Sequence, residues 1–190
     1  MTRTAKGRII ELDDSGTGDL IGNAFIGFHV VETGYIIFRS VHVGLYNEEN
    51  LKQNRPKKEI VELVKDGLEA LQFNKDTDKI LLCRGDCFDL VRQYFDEEGI
   101  RYEPAVIEGK LQDAVESRFI SHCRKLGVKS KYLTTKSGAK RYFILYNWLC
   151  RDFYNREKFV KSGFKKWNQV NRARAIEKYE ALRELKKNRN

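Results

Sequence analysis

The chain has 190 residues, 41% of them apolar, and a formal net charge of +9. The chain has only two prolines and no low-complexity run, which excludes a disordered chain. No apolar run reaches membrane-spanning length, which excludes a transmembrane helix. The N-terminus lacks the apolar core of a signal peptide and the four cysteines lie in apolar segments, so we expect a cytoplasmic protein with buried free thiols.

Three strands are predicted in the first quarter of the chain. β-branched and aromatic residues, punctuated by glycine, indicate strands at about residues 7–12, 22–31 and 35–43. A turn at residues 32–34 joins the second and third strands into an antiparallel hairpin. The chain therefore begins as a strand meander.

Two adjacent carboxylates, Asp13 and Asp14, follow the first predicted strand and precede a turn of small residues at 15–18. Carboxylates beside a glycine turn with exposed backbone can hold a hard divalent cation such as Mg²⁺. The alternative is an ordinary hairpin whose acids face solvent, because acids and glycines are also common in turns. These two residues alone do not distinguish a metal site from an ordinary turn, so the other acidic residues of the chain have to be considered.

Helices and strands alternate through the middle of the chain. Helices are predicted at about 54–71, 88–98 and 112–126, and strands at about 79–83 and 101–107. Such alternation after a meander requires parallel crossovers. The predicted fold class is therefore α/β, with a mixed sheet of three antiparallel strands plus parallel strands, flanked by helices.

The last third of the chain is predicted to begin with a second hairpin at residues 131–146, with its turn at 136–138, and to be helical from there on. Residues 151–190 carry 13 Lys/Arg and 5 Asp/Glu, whereas the first 150 residues carry 23 and 22. We therefore expect a domain at 1–150, a basic helical extension at 151–190 packed on it, and a polyanionic partner.

Carboxylates mark several element ends that can share one edge of the predicted sheet. Ligands of open α/β sheets gather at the carboxyl ends of the parallel strands. Close carboxylates repel one another unless cations neutralise them, and paired divalent ions about 4 Å apart are the common arrangement in nucleases. The candidate catalytic and metal-binding residues are Asp13, Asp14, Glu59, Asp86 and Asp113. Glu116 or Asp152 could take the place of Asp113 as the fourth acid.

The basic C-terminal region supplies candidate phosphate contacts, which provide most of the affinity of non-specific nucleic-acid binding. The candidates are Lys158, Lys161, Lys165, Lys166, Arg172 and Arg174. Lys136, Lys140 and Arg141 flank the predicted hairpin tip and could also touch phosphates. Aromatic residues interleave with the basic ones and could stack on bases, or could pack the terminal helices onto the body.

The order of elements and acids resembles the ribonuclease H-like superfamily. Residues 12–22 are similar to the first motif of type 2 ribonucleases H, with Asp14 where that family has Glu and Thr17 where it has Arg. Residues 14–17 also resemble the DxGT turn of Holliday-junction resolvases, which leaves open whether Asp13 or Asp14 is primary. Residues 84–86 resemble the end of a Piwi-domain strand.

This resemblance covers residues 8–126 and implies a ribonuclease H-like fold and a nuclease dependent on Mg²⁺ or Mn²⁺. The overall organisation is also similar to a small archaeal-type group of single-strand-specific 3′-to-5′ DNA exonucleases. That similarity implies single-stranded DNA as the substrate and a homo-oligomeric ring, a trimer in that group. The alternatives are an endonuclease on RNA–DNA hybrids or branched DNA, a non-catalytic nucleic-acid-binding module, and a structural subunit that docks on an acidic protein.

Overall fold

A five-stranded mixed sheet with flanking helices forms the centre of the fold in the computed structural model, which describes residues 7–135 and 137–188. The strands are β1 (Ile9–Ser15), β2 (Ala24–Val30), β3 (Tyr35–Val41), β4 (Lys79–Cys83) and β5 (Tyr102–Ala105). Their order across the sheet is β3-β2-β1-β4-β5. The predicted α/β class, with antiparallel and parallel strands in one sheet, is confirmed.

The register of β1 positions the acidic residues. β1 pairs with β2 in antiparallel fashion, with Asp13 opposite Gly27, and with β4 in parallel fashion, with Leu12 opposite Leu82. Cys83 follows Leu82 and is therefore level with Asp13 at the carboxyl ends of two neighbouring parallel strands. The predicted convergence of these two strand ends is present in the fold.

Seven α-helices are described along the chain. They are α1 (Glu48–Lys52), α2 (Arg55–Ala70), α3 (Asp89–Glu97), α4 (Lys110–Lys125), α5 (Gly138–Cys150), α6 (Phe153–Arg156) and α7 (Arg172–Lys187). Within the described part of the chain, none of these helices is both long and apolar enough to cross a membrane.

The chain forms two compact units. The first comprises residues 7–17, 23–41 and 54–119, and the second comprises residues 18–22, 42–53 and 120–188. The predicted boundary at residue 150 falls inside the second unit, at the end of α5. The domain assignment itself stays a prediction.

Helices cover both faces of the sheet in the first unit. A Cβ atom at Gly67 of α2 would lie 2.3 Å from the ring of Phe28 in β2, so the two elements approach as closely as a glycine allows. On the other face, a Cβ atom at Gly27 would lie 2.9 Å from Leu111 of α4. The sheet is therefore packed on both sides.

The second unit is built around apolar side chains of its helices and a short bridge. Ile21 pairs with Val160 in an isolated antiparallel bridge, next to a hydrogen bond of 2.8 Å from the Gly22 N–H to the carbonyl of Phe159. The largest buried rings of this unit are Trp148, Phe153 and Trp167. The sequence had predicted that the chain is helical throughout after residue 146. That prediction is wrong, because Val160 lies in a β-bridge.

The predicted hairpin at 131–146 is wrong. A short 3₁₀ helix (Lys131–Thr134) and α5 occupy this stretch, and the hydroxyl of Ser137 accepts a hydrogen bond at the start of α5. The buried residues of α5 are Leu145, Trp148, Leu149 and Cys150. Phe143, in contrast, is 61% exposed. Burial thus follows helical spacing, not the alternation of a strand; the predicted turn residue Lys136 lies outside the described residues.

Candidate metal centre

Two carboxylates and a thiol meet at the carboxyl ends of β1 and β4. One ligand atom from each of Asp13, Asp14 and Cys83 lies within 4.8 Å of the other two. The parallel pairing of β1 with β4 causes this proximity, because it brings Cys83 level with the aspartate pair. The group has the size expected of the ligand set of a single cation.

Uncharged donors hold the carboxylate of Asp14. The hydroxyl of Thr17 donates to Asp14 Oδ2 at 2.6 Å, and the thiol of Cys87 donates to Asp14 Oδ1 at 3.2 Å. Thr17 reaches back because the turn passes through Gly16, whose φ of +85° is a conformation that favours glycine. The glycine turn seen in the sequence thus fixes the orientation of a site carboxylate.

Burial makes both aspartates harder to ionise. Asp13 is 6% exposed. Its loss of hydration raises its pKa to about 6; a hydrogen bond with Cys83 opposes this shift, and the charges of Asp14 and Glu116 add to it. Burial likewise raises the pKa of Asp14, and the charges of Glu116 and Asp86 raise it further. Four acids therefore interact at this edge of the sheet.

The two thiols next to the aspartates are neutral hydrogen-bond partners at physiological pH. Burial raises the pKa of Cys83 to about 12, and it also raises the pKa of Cys87. Among the described residues, the hydrogen bonds to Asp13 and Asp14 come from these thiols, the Thr17 hydroxyl and the backbone, and none comes from a cationic side chain. The negative charge of the pair is therefore left without a protein counter-ion.

The predicted acids occupy different positions relative to this group. Asp86 is exposed, starts the 3₁₀ helix after β4 and acts electrostatically on Asp14. Glu116 on α4 is half-buried, and its charge acts on both aspartates of the pair. Of the three candidates for the fourth acid, Glu116 is thus the one that the electrostatics connect to the site.

Glu59 and Asp113 lie outside the group of ligand atoms within 4.8 Å of one another. Glu59 is half-buried on α2, and Asp113 is exposed on the first turn of α4. Asp152 belongs to the second unit, where it forms an ion pair of 3.8 Å with Arg156. The structure therefore brings together Asp13, Asp14, Asp86 and Glu116, and it does not add Glu59 or Asp113 to them.

Sequence reasoning missed the residues that support the aspartates. Cys83 and Cys87 were interpreted as buried free thiols in preference to a zinc site, and their position on either side of Asp86 was not connected with the aspartates. Gly85 was also missed: a Cβ atom there would lie 3.4 Å from Asp14 Oδ1 and 3.5 Å from Cys87 Sγ. The signal was the segment of residues 83–87, which ends a buried strand in two thiols, a glycine and an acid.

The predicted phosphate contacts divide into surface and buried residues. Five are exposed, namely Lys158, Lys165, Lys166, Arg172 and Arg174. Lys161 is 0% exposed and donates to the carbonyl of Asp19 at 3.1 Å, so its burial argues against a phosphate contact. Arg141 is 2.8 Å from the carboxylate of the same Asp19, and it too is engaged within the fold.

The interleaved aromatic residues serve mainly to pack the second unit. Phe153 and Trp167 are 0% and 1% exposed, and their rings stack with centroids 6.4 Å apart. Tyr154 is 58% exposed, and of the three it alone presents a large ring surface to solvent. The packing interpretation therefore holds for Phe153 and Trp167.

No protein-family model matches the chain, and no curated protein sequence matches it either. The resemblance to ribonuclease H-like nucleases stays a prediction.

Proposed function

We propose that this chain is a divalent-metal-dependent nuclease that hydrolyses single-stranded DNA from its 3′ end. The observation that carries the proposal is the pair Asp13 and Asp14 at the carboxyl ends of parallel strands, to which no cationic side chain among the described residues donates a hydrogen bond. This is the edge at which open α/β sheets bind their ligands. The strand order β3-β2-β1-β4-β5 is compatible with a ribonuclease H-like layout.

The donor set fits a hard divalent cation. Mg²⁺ and Mn²⁺ prefer carboxylate oxygens, and Asp13 and Asp14 would hold the ion, with Glu116 and Asp86 as further oxygen donors near them. Raised pKa values mean that the ionised pair is unfavourable without a counter-ion, and a cation removes that penalty. The protonated thiol of Cys83 is compatible with such an ion as a neighbouring hydrogen-bond donor.

The protein's own groups position the carboxylates. When bound, a divalent cation lowers the pKa of a coordinated water and offsets the charge of a scissile phosphate. Thr17 and Cys87 keep the carboxylate of Asp14 in one orientation, as outer-shell partners do in metal sites. Exposed cations such as Lys165 and Lys166 supply the phosphate contacts that a metal–carboxylate site lacks.

End-labelled substrates provide the direct test. Single-stranded DNA, duplex DNA, an RNA–DNA hybrid and a four-way junction are incubated with the chain and Mg²⁺ or Mn²⁺, with a chelator control. We expect 5′-labelled single strands to shorten progressively from the 3′ end. Internal cuts in the hybrid or the junction would instead favour an endonuclease.

Variants of the site assign the activity to these residues. Asp13→Asn, Asp14→Asn and Asp86→Asn are compared with Glu69→Gln, a matched loss of one exposed charge on α2 of the same unit. We expect the three site variants to lose cleavage and the control to keep it. Cleavage that persists in all three site variants would refute the assignment.

A non-catalytic nucleic-acid-binding module is the second candidate, because both oxygens of Asp14 already accept hydrogen bonds from uncharged side chains. Such a module would bind single-stranded DNA and release no carboxylate-dependent heat with Mn²⁺. Calorimetry of the wild type and of Asp14→Asn with Mn²⁺ separates the two functions. A Mn²⁺ signal that disappears in the variant supports the metal site.

A further inference from the structure

A pocket in the second unit has a charge opposite to that of the acidic edge. It has a volume of about 630 Å³ and is lined by residues between Gly127 and Arg156, from the loop before the 3₁₀ helix Lys131–Thr134 to the last residue of α6. Small-molecule sites typically have volumes of about 300–1,000 Å³. The pocket is therefore large enough for a ligand of nucleotide size.

The charged side chains that line this pocket are all cationic. Lys129, Lys131, Arg151 and Arg156 contribute four positive charges, and none of the described residues in its wall is Asp or Glu. Lys129, Lys131 and Arg151 are exposed, so their charged ends are accessible to a ligand. This arrangement selects an anion.

Aromatic rings lie beside these cations. Tyr132 is 66% exposed and carries the Lys131 ammonium 5.0 Å from its ring centroid. Trp148 lines the same pocket, and the guanidinium of Arg156 lies 4.4 Å from the centroid of its ring. Cationic side chains and one exposed aromatic ring, that of Tyr132, therefore line one cavity, and nucleic-acid bases stack on such rings without sequence preference.

The wall of the pocket is partly fixed before any ligand binds. Arg156 donates to the backbone carbonyl of Trp148 and has a long ion pair of 3.8 Å with Asp152, so its plane is held against the indole ring. Arg151 belongs to the same wall and is exposed. A pre-positioned guanidinium plane with flexible cations around it suits a ligand that has a planar part and a charged part.

We propose that this pocket binds one nucleotide of a single-stranded nucleic acid, with its phosphate on Lys129, Lys131 and Arg151 and its base against Tyr132. The pocket goes beyond the proposed nuclease activity, because binding there requires neither a metal nor cleavage. It also differs from the phosphate contacts predicted from the sequence, because Lys158, Lys165 and Lys166 do not line this cavity.

Strand binding without cleavage tests the proposal. The full chain is titrated against fluorescein-labelled oligothymidylate in a chelator, with anisotropy as the readout. Arg151→Glu and Lys131→Glu are compared with Arg183→Glu and Lys187→Glu, which change the charge equally on exposed residues of the same unit that are not among the predicted phosphate contacts. We expect at least tenfold weaker binding from each pocket variant and less than threefold from each control. Equal losses in the two sets, or no loss in the pocket variants, would overturn the proposal.

A second measurement separates a nucleotide site from a simple anion site. Thymidine monophosphate and inorganic phosphate are compared as competitors at equal ionic strength, for the wild type and for Tyr132→Leu. We expect the nucleotide to compete at least fivefold better than phosphate in the wild type and to lose that advantage in the variant. Equal competition in the wild type would overturn the role of the base.

Two controls keep these outcomes interpretable. Circular dichroism and thermal melting show whether each variant is folded, and the side chains substituted in the pocket and control variants are exposed in the structure. Repeating the titration with Asp14→Asn shows whether strand binding is independent of the acidic edge. If the pocket variants bind DNA normally while the wild type cleaves it, the pocket proposal fails and the nuclease proposal stands. If the pocket variants lose binding while the wild type shows no cleavage, the nuclease proposal fails and the pocket proposal stands.

Discussion

Two aspartates with nearly equal burial have opposite surroundings. Asp13 in the first unit is 6% exposed, and Asp19 in the second unit is 8% exposed. Arg141 approaches the Asp19 carboxylate to 2.8 Å, and the ammonium of Lys161 lies 3.1 Å from the carbonyl of the same residue. Asp13 has instead a thiol partner and the like charge of its neighbour.

The difference separates a buried charge that has a protein counter-ion from one whose hydrogen-bond partners are uncharged. A buried charge without a partner costs several kcal/mol, whereas a charge with a hydrogen-bonded counter-ion recovers much of that cost. The Asp19 cluster therefore has what it needs to stabilise the second unit by itself. The Asp13 and Asp14 pair accepts no hydrogen bond from a cationic side chain among the described residues, which is why we propose it as a cation-binding site.

The largest expected effect is on the rate of cleavage. Asp13→Asn and Asp14→Asn should each lower the cleavage rate about 10³-fold, which corresponds to about 4 kcal/mol of transition-state stabilisation. Asp19→Asn should leave the rate per folded molecule within about threefold, because its carboxylate is already neutralised. Single-turnover rates on 5′-labelled single-stranded DNA measure both. A comparable loss in Asp19→Asn would remove the distinction between the two sites.

The next effect concerns stability. Arg141→Met leaves the carboxylate of Asp19 buried without its guanidinium partner, and we expect the free energy of unfolding to fall by about 3 kcal/mol. Urea denaturation at pH 7 measures the change. The double variant Arg141→Met with Asp19→Asn should recover part of the loss. A decrease below about 1 kcal/mol would show that the ion pair is not structural.

The pH dependence of stability should distinguish the uncompensated site. Because the pKa of Asp13 in the folded chain is about 6, against an ordinary value of 3.8, the folded state binds more protons between these values. Wild-type stability in a chelator should therefore fall as the pH rises from about 4 to about 6, and it should stay lower above that range.

Asp13→Asn removes this penalty. The variant should be more stable than the wild type by about 2 kcal/mol at pH 8, and the gain should disappear near pH 4. Adding Mn²⁺ should raise the melting temperature of the wild type more than that of the variant. Identical stability curves for the two proteins from pH 4 to pH 8 would contradict the assignment of an uncompensated charge.

The smallest expected effect identifies the fourth acid. Glu116→Gln should slow cleavage about tenfold, or about 1.4 kcal/mol, because the charge of Glu116 acts on both site aspartates. Glu59→Gln and Asp113→Asn, the residues first chosen from the sequence, should change the rate less than about threefold. A larger loss of cleavage rate in Asp113→Asn than in Glu116→Gln would instead identify Asp113 as the fourth acid.

The sheet could be predicted because its strands are locally recognisable. Residues 79–83 form a short apolar run between polar segments, and β4 has the same bounds as the predicted strand. The meander was also predicted within a few residues, since glycines separate β-branched and aromatic runs there. The position of Asp13 and Asp14 at a strand end followed directly from these elements.

The location of α5 could not be predicted from local propensity. Residues 142–146 are aromatic and β-branched, which favours a strand, and the burial of Leu145, Trp148 and Leu149 overrides that preference. The partners of the aspartates were missed for a related reason. Glu116 and Cys83 reach them only through the packing of α4 and the register of β4, which are long-range properties of the fold.

The burial of Lys161 allows local opening of the second unit to be followed by chemical labelling. With no exposed surface and its ammonium on backbone carbonyls, its amine can meet an acylating reagent only after the surrounding chain has opened. Its labelling rate, followed by peptide mass spectrometry against surface lysines, would report how often that opening occurs. The reactivity of one side chain thus gives the frequency at which the second unit opens around it.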